Sequence, residues 1–134
     1  FSGKRLPETM SEANEVEIVV KPRYLVEQSN VMADKYVFAY EITIANHSDE
    51  TITLRNRFWQ ITDAHGGVEK VSGAGVVGQQ PMLYPGDEFE YSSGAHLNTP
   101  WGTMEGRYEF EDETGGRFFV PIPKFDLKAD VTIQ

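Results

Sequence analysis

Apolar residues recur at every second position along most of this chain, and no segment keeps the 3.6-residue period of an amphipathic helix. The clearest case is segment 36–45, in which one face carries Tyr36, Phe38, Tyr40, Ile42 and Ile44. A period of two is typical of a half-buried β-strand, whose side chains alternate between the faces of a sheet. Short segments of this kind, separated by turn signals, predict an all-β antiparallel sandwich of about seven or eight strands.

The sequence also predicts where the strands turn and bend. The polar run Asn46–Glu50 predicts a hairpin between the two strands that flank it. After Leu54 the inward positions shift from even to odd numbers, which predicts a β-bulge near Arg55–Arg57. The segment 94–102 combines glycine, asparagine, threonine and proline, and we expect it to be a loop.

The beginning of the chain differs from the rest. Residues 1–14 have no hydrophobic period and mix serine, glycine, proline and charged residues, which predicts a flexible N-terminal tail. The remaining stretch, residues 15–134, has the length of a single domain with a sizeable core.

Charge and composition exclude several classes of function. The chain has 12 basic and 21 acidic residues, a formal net charge of −9. A nucleic-acid-binding protein needs a basic face, so we expect no nucleic-acid partner. We find no apolar stretch of membrane-spanning length and no charged-then-apolar leader, so we expect a soluble, unsecreted protein without a membrane partner. The absence of cysteine excludes thiolate nucleophiles and cysteine-rich zinc sites.

Gly73, Gly75 and Gly78 have the G-x-G-x-x-G spacing of dinucleotide-binding loops. Such a loop needs a helix after it, whose N-terminus meets the pyrophosphate. Pro81 prevents a helix here, as does the Pro-Gly pair a few residues later, so the Rossmann interpretation fails. Two interpretations remain open. The backbone N–H groups cradle an anion, with Arg55 or Arg57 assisting, or the glycines only permit a turn with positive φ.

No catalytic or metal-binding set is evident. The three histidines, His47, His65 and His96, are too far apart in the sequence for a metal pair on one element. We therefore expect no catalytic residues, no metal and no cofactor. Tyr84 and Trp101 are aromatic residues in predicted loops, where exposed rings are typical contacts for protein partners.

An ordered series of motifs in the second half of the chain resembles the ApaG family. The series is Trp59-Gln60-Ile61-Thr62-Asp63-Ala64, the glycine motif with Gln79-Gln80-Pro81, Pro85-Gly86, Tyr91-Ser92-Ser93-Gly94, Gly102-Thr103-Met104-Glu105-Gly106 and Ile122-Pro123-Lys124-Phe125. The resemblance extends from near Val16 to near Leu127. It departs from the family at Phe58, where histidine is frequent, and at Gln79, where an acidic residue is frequent.

The resemblance implies a fibronectin type III-like β-sandwich. Bacterial members are small cytoplasmic proteins whose family label refers to cobalt resistance and magnesium efflux. The domain also occurs in eukaryotic F-box proteins and in a polymerase-delta-interacting protein, where it resembles a protein-interaction module. The family's glycine motif has suggested pyrophosphate binding, which falls here on Gly73, Gly75 and Gly78.

The sequence thus predicts a non-enzymatic domain that binds an unidentified protein partner, with Tyr84 and Trp101 as contacts. The alternative is a module for phosphate, pyrophosphate or a nucleotide. It would use the glycine-rich loop 73–78 together with Arg55 and Arg57.

Overall fold

The computed structural model describes residues 15–129, in which eight β-strands are formed. They are β1 (Val16–Tyr24), β2 (Tyr36–Asn46), β3 (Ile52–Asp63), β4 (Val68–Ala74), β5 (Met82–Leu83), β6 (Glu88–Leu97), β7 (Trp101–Glu111) and β8 (Arg117–Lys128). Two short 3₁₀ turns connect β1 to β2, and none of the elements in this described part is an α-helix. The predicted flexible tail, residues 1–14, lies outside the described residues.

The strands form two antiparallel sheets. One has the order β1-β2-β6; the other has the order β4-β3-β7-β8, with β5 also paired to β3. The inner faces of the two sheets enclose a single hydrophobic cluster. The sandwich predicted from the sequence is therefore confirmed.

β2 forms the centre of the first sheet, and its predicted inner face is the observed one. Tyr36, Phe38, Tyr40, Ile42 and Ile44 are all buried. A side chain of this size contributes about 1.5–3 kcal/mol when fully buried, so this alternation fixes the register of the strand.

The segment after β2 does not form the predicted hairpin, because β2 and β3 belong to different sheets. Asn46 ends β2 and is fully buried. Its Nδ2 donates hydrogen bonds to the carbonyls of Glu50, at 2.8 Å, and Leu83, at 3.0 Å, and its Oδ1 accepts one from the Ser48 hydroxyl at 2.7 Å. These bonds hold the chain where it crosses between the sheets. The hairpin prediction was wrong because polar turn residues suit a crossing as well as a hairpin.

The predicted loop at 94–102 is mostly strand. β6 continues to Leu97 and β7 begins at Trp101. Pairing with β2 explains the continuation, since Gly94 lies opposite Ala39 and Leu97 opposite Tyr36. The strand forms because a full ladder of backbone bonds outweighs the low strand propensity of glycine.

The predicted bulge is present in β3, where the pairing with β7 shifts between Leu54 and Asn56. Leu54 and Trp59 are both buried despite the change from an even to an odd position. Because of this shift, Arg57 also faces the space between the sheets, where it lines a cleft.

Candidate functional site at the open side of the sandwich

The two sheets are in contact on one side and leave a cleft on the other. β1 packs beside β8, whereas the opposite edge strands, β6 and β4, border a cleft of about 420 Å³. The floor consists of the side chains of Tyr40, Trp59, Tyr91 and Met104, all buried. A cleft of this volume with a largely apolar floor is typical of a binding site.

The glycine motif forms one end of this cleft. β5 pairs with the same edge of β3 as β4 does, so the two form one edge strand that is interrupted after Ala74. The interruption begins at Gly75, whose N–H donates to a β3 carbonyl at 2.8 Å, and ends at Pro81, whose carbonyl accepts a bond from β3 at 3.0 Å. Between them, Val76 and Gln79 exchange two backbone hydrogen bonds across a two-residue turn. Val76 is 1% exposed, so its side chain anchors the turn in the core.

Two of the glycines are required by this turn. Gly75 has φ of 63°, and a Cβ there would lie only 2.1 Å from the Gln79 carbonyl oxygen. Gly78 has φ of 78° in the second position of the turn. The first position is Val77, with φ of 43°, a value that is unusual for a β-branched residue.

Gly73 makes room for Arg57. The two residues are paired across β4 and β3, and a Cβ on Gly73 would lie 2.9–3.0 Å from three atoms of the guanidinium group. The guanidinium therefore extends over β4, where its Nη1 donates to the carbonyls of Ala74, at 3.1 Å, and Gly75, at 2.9 Å. Within residues 15–129, Arg57 forms no ion pair with a carboxylate.

Arg55 has a different environment, although the sequence offered both arginines equally. Its Nε donates to Glu111 at 2.8 Å, and its Nη1 donates to the side chain of Gln80 at 3.3 Å. Arg55 does not line the cleft. The structure thus separates an arginine bound to a carboxylate from one that faces an open space.

Hydroxyl groups lie near the charge of Arg57. Burial is the main cause that raises the pKa of Tyr40, Tyr91 and Tyr108, and the Arg57 charge opposes this effect in all three. The Tyr91 and Tyr108 hydroxyls are hydrogen-bonded to each other. A hydrogen bond from the Ser93 hydroxyl also opposes the rise in the pKa of Tyr40, and Ser93 lines the cleft. These hydroxyl groups and Arg57 therefore add polar groups to a cleft whose floor is otherwise apolar.

The glycine loop uses many of its own donors. The N–H groups of Gly75, Val76 and Gln79 all donate to backbone carbonyls. Its carbonyls at residues 74 and 75, moreover, point to Arg57. An anion cradle at loop 73–78 remains a prediction, with the N–H groups of Val77 and Gly78 as its available donors.

Tyr84 and Trp101 are both exposed, at 59% and 52%. Tyr84 follows β5, which pairs with the beginning of β3, whereas Trp101 begins β7, next to the end of β3. The length of β3 separates them by roughly 35 Å at 3.3 Å per residue. The structure therefore does not bring these two predicted partner contacts together, and neither lines the cleft.

The histidines are dispersed. The Nε2 of His47 lies 2.9 Å from Glu17, and His96 lines the cleft. Between residues 15 and 129 no group of three histidine or acidic side chains is arranged to hold a metal ion. The same residues contain no helix with the length and hydrophobicity to cross a membrane.

The sequence analysis placed Tyr40 on the inner face of a strand, and it used Tyr91 and Ser93 only as part of the motif series that resembles the family. A signal was present, because tyrosine at an inward position needs a partner for its hydroxyl group where phenylalanine would pack equally well. Two inward tyrosines and an inward arginine from different strands indicate a group of polar atoms inside the sandwich.

The fold defines the class of protein, an immunoglobulin-like antiparallel β-sandwich. PapD-like domain 7 of human CEP192 has the same overall fold, with a TM-score of 0.51, 10% sequence identity and coverage of 96% of each chain.

The chain belongs to the ApaG domain family. The family model described as the ApaG domain matches residues 26–112. The Protein ApaG of Brucella anthropi is 54% identical, over 84% of this chain and 86% of that protein. A crystal structure described as the ApaA protein from Bordetella pertussis matches with a TM-score of 0.84 and 46% identity, covering 87% of this chain and 95% of that one. These names state no enzymatic activity.

Proposed function

We propose that this chain is a non-enzymatic binding domain of the cytoplasm that takes an extended segment of a partner protein into the cleft between β4 and β6. The observation that carries the proposal is the outer edge of β6. It presents ten residues that pair with no further strand of residues 15–129, beside the apolar floor of the cleft. An added strand would form backbone hydrogen bonds with this edge and place alternate side chains in the cleft.

β6 suits strand addition better than β4. β4 has seven residues and ends where the glycine turn leaves the sheet, whereas β6 is continuous. The cleft side of β6 also carries small side chains, at Ser93 and Ala95, which leave space for those of a partner.

Filling the cleft is the direct test. Ala95→Phe places a ring in the cleft, whereas the control Ala74→Phe places one on the exposed outer face of β4. We expect the native partner, recovered by cross-linking from cytosol, to be lost with Ala95→Phe and retained with Ala74→Phe. In the complex, amide hydrogen exchange should slow in residues 88–97. Equal recovery by both variants, or protection elsewhere, would contradict the proposal.

The contacts predicted from the sequence are tested with the same assay. Tyr84→Ala and Trp101→Ala change exposed rings outside the cleft. If either variant loses the partner while Ala95→Phe keeps it, recognition occurs at the loop ends and not in the cleft.

A second candidate is the binding of phosphate, pyrophosphate or a nucleotide at loop 73–78. It is supported by the lack of a carboxylate partner for Arg57 within the described residues. Titration with pyrophosphate, followed by backbone amide shifts, distinguishes it. Shifts confined to this loop support it, and a flat response at millimolar ligand excludes it.

The link to cobalt resistance and magnesium efflux, which the family resemblance implies, is proposed to act through the protein partner. Calorimetry with Co²⁺ and with Mg²⁺ is then expected to show no binding heat. Saturable heat with either ion would contradict this indirect route.

A further inference from the structure

We propose that Arg57 recognises a carboxylate on the partner segment that adds to β6, so that the preferred segment is apolar with an acidic residue at one fixed position. This inference rests on the proposed function and specifies its chemistry. Neither the cleft nor the backbone edge of β6 by itself would select such a residue.

The position of Arg57 is set by two features of the second sheet. The bulge after Leu54 turns the side chain inward, and the missing side chain of Gly73 lets the guanidinium extend over β4. The guanidinium group thereby reaches the cleft and lines it.

The hydrogen bonds of Arg57 leave one edge of its guanidinium free. Nη1 is held by the carbonyls of Ala74 and Gly75, while Nε and Nη2 form no hydrogen bond with residues 15–129. The Nε–Nη2 edge carries two parallel N–H groups, which match the two oxygens of a carboxylate. Because Nη1 is fixed, this edge is oriented before a ligand binds, which lowers the entropic cost of binding.

The charges around the cleft favour a carboxylate over a phosphate. Arg57 is the only lysine or arginine among the described residues that line it, and Glu69 and His96 line it as well. One guanidinium balances the single charge of a carboxylate. A phosphate dianion or a pyrophosphate would retain excess negative charge in a cleft that Glu69 also lines, which is unfavourable at a partly desolvated site.

Selection from a random peptide library displayed on phage tests the inference without knowledge of the natural partner. The full chain, Arg57→Gln, Arg57→Lys and the control Arg55→Gln serve as targets, after thermal melts have shown that each is folded. Arg55 is a fitting control because it is paired with Glu111 and lies outside the cleft.

We expect peptides selected on the full chain and on Arg55→Gln to carry Asp or Glu at one position. A selected peptide should bind Arg57→Gln about tenfold to a hundredfold more weakly, as expected for the loss of a charge-assisted hydrogen bond. Arg57→Lys should retain part of the affinity, since it keeps the positive charge although it cannot form bidentate hydrogen bonds. Changing the acidic residue of the peptide to its amide should weaken binding to the full chain but not to Arg57→Gln.

The outcomes separate the inference from the proposed function. If no peptide is selected on the full chain, the proposed function fails. Peptides that lack an acidic preference, or that bind Arg57→Gln equally well, overturn the inference and leave the binding domain intact. Displacement of a bound peptide by inorganic phosphate at low millimolar concentration also overturns it, because Arg57 would then belong to a phosphate site.

Discussion

Replacing Gly73 by alanine tests whether this glycine exists to accommodate Arg57. The new Cβ would lie 2.9–3.0 Å from three guanidinium atoms, so the group must move by roughly half an ångström or more to reach normal contact distance. Its hydrogen bonds to Ala74 and Gly75 would then weaken, at a cost of about 1 kcal/mol for a half-exposed charged donor. Alanine also restricts the unfolded chain, which stabilises the fold by about 0.4–1 kcal/mol. We expect Gly73→Ala to destabilise the protein only slightly.

The effect should reverse when Arg57 is absent. In an Arg57→Gln background the shorter side chain leaves room, so only the entropic gain of about 0.4–1 kcal/mol remains. Urea unfolding of the four proteins gives a coupling energy, which we expect to be about 1 kcal/mol. The control is Gly94→Ala, whose Cβ would contact the Phe38 carbonyl oxygen and not the arginine. Additivity within about 0.3 kcal/mol for the Gly73 cycle would refute this account of the motif.

Three further outcomes follow from the fold. Asn46→Ala leaves buried carbonyls without donors, and we expect it to lower the free energy of urea unfolding by about 3 kcal/mol. The half-buried control Asn56→Ala should lower it by about 1 kcal/mol. Equal losses would contradict the role of Asn46. Gly106→Ala should lower the free energy of unfolding by more than about 3 kcal/mol, because its Cβ would lie 2.0 Å from the Phe58 carbonyl oxygen between β7 and β3. A loss of stability below about 1 kcal/mol would show that the two strands separate easily. Burial raises the pKa of Tyr108, so the folded state keeps a proton that the unfolded chain loses above about pH 10. The contribution of Tyr108 to stability should therefore be constant below this pH and fall above it, by about 1.4 kcal/mol per pH unit. The fall in total stability above this pH should be weaker in Tyr108→Phe.

The regular part of the fold was predictable because it depends on local periodicity. The alternation in β2 and the shift after Leu54 both follow from which side chains must be buried. The crossing after β2 was not predictable, since it depends on a bond from Asn46 to Leu83, 37 residues away. Local turn chemistry contains no information about such a partner.

The candidate site was predictable only in part. The sequence indicated the glycines and both arginines, but it could not separate Arg55 from Arg57. That difference arises from the bulge, which turns one toward Glu111 and the other toward the cleft. Residues of β3, β4, β6 and the glycine turn all line the cleft. Their meeting depends on how the two sheets pack, which local sequence patterns do not determine.

The interrupted edge of the second sheet has a consequence for stoichiometry. A long free edge can pair with copies of the same chain and grow into aggregates. The glycine turn breaks the β4–β5 edge after Ala74. A strand added at β6 therefore has no equally long free edge across the cleft to which further strands could pair. If the proposed addition of a partner strand at β6 takes place, we expect it to stop after one strand, with one partner bound per domain. Deleting residues 76–79 would restore a longer edge, and we expect such a variant to scatter light at concentrations at which the parent chain stays monodisperse.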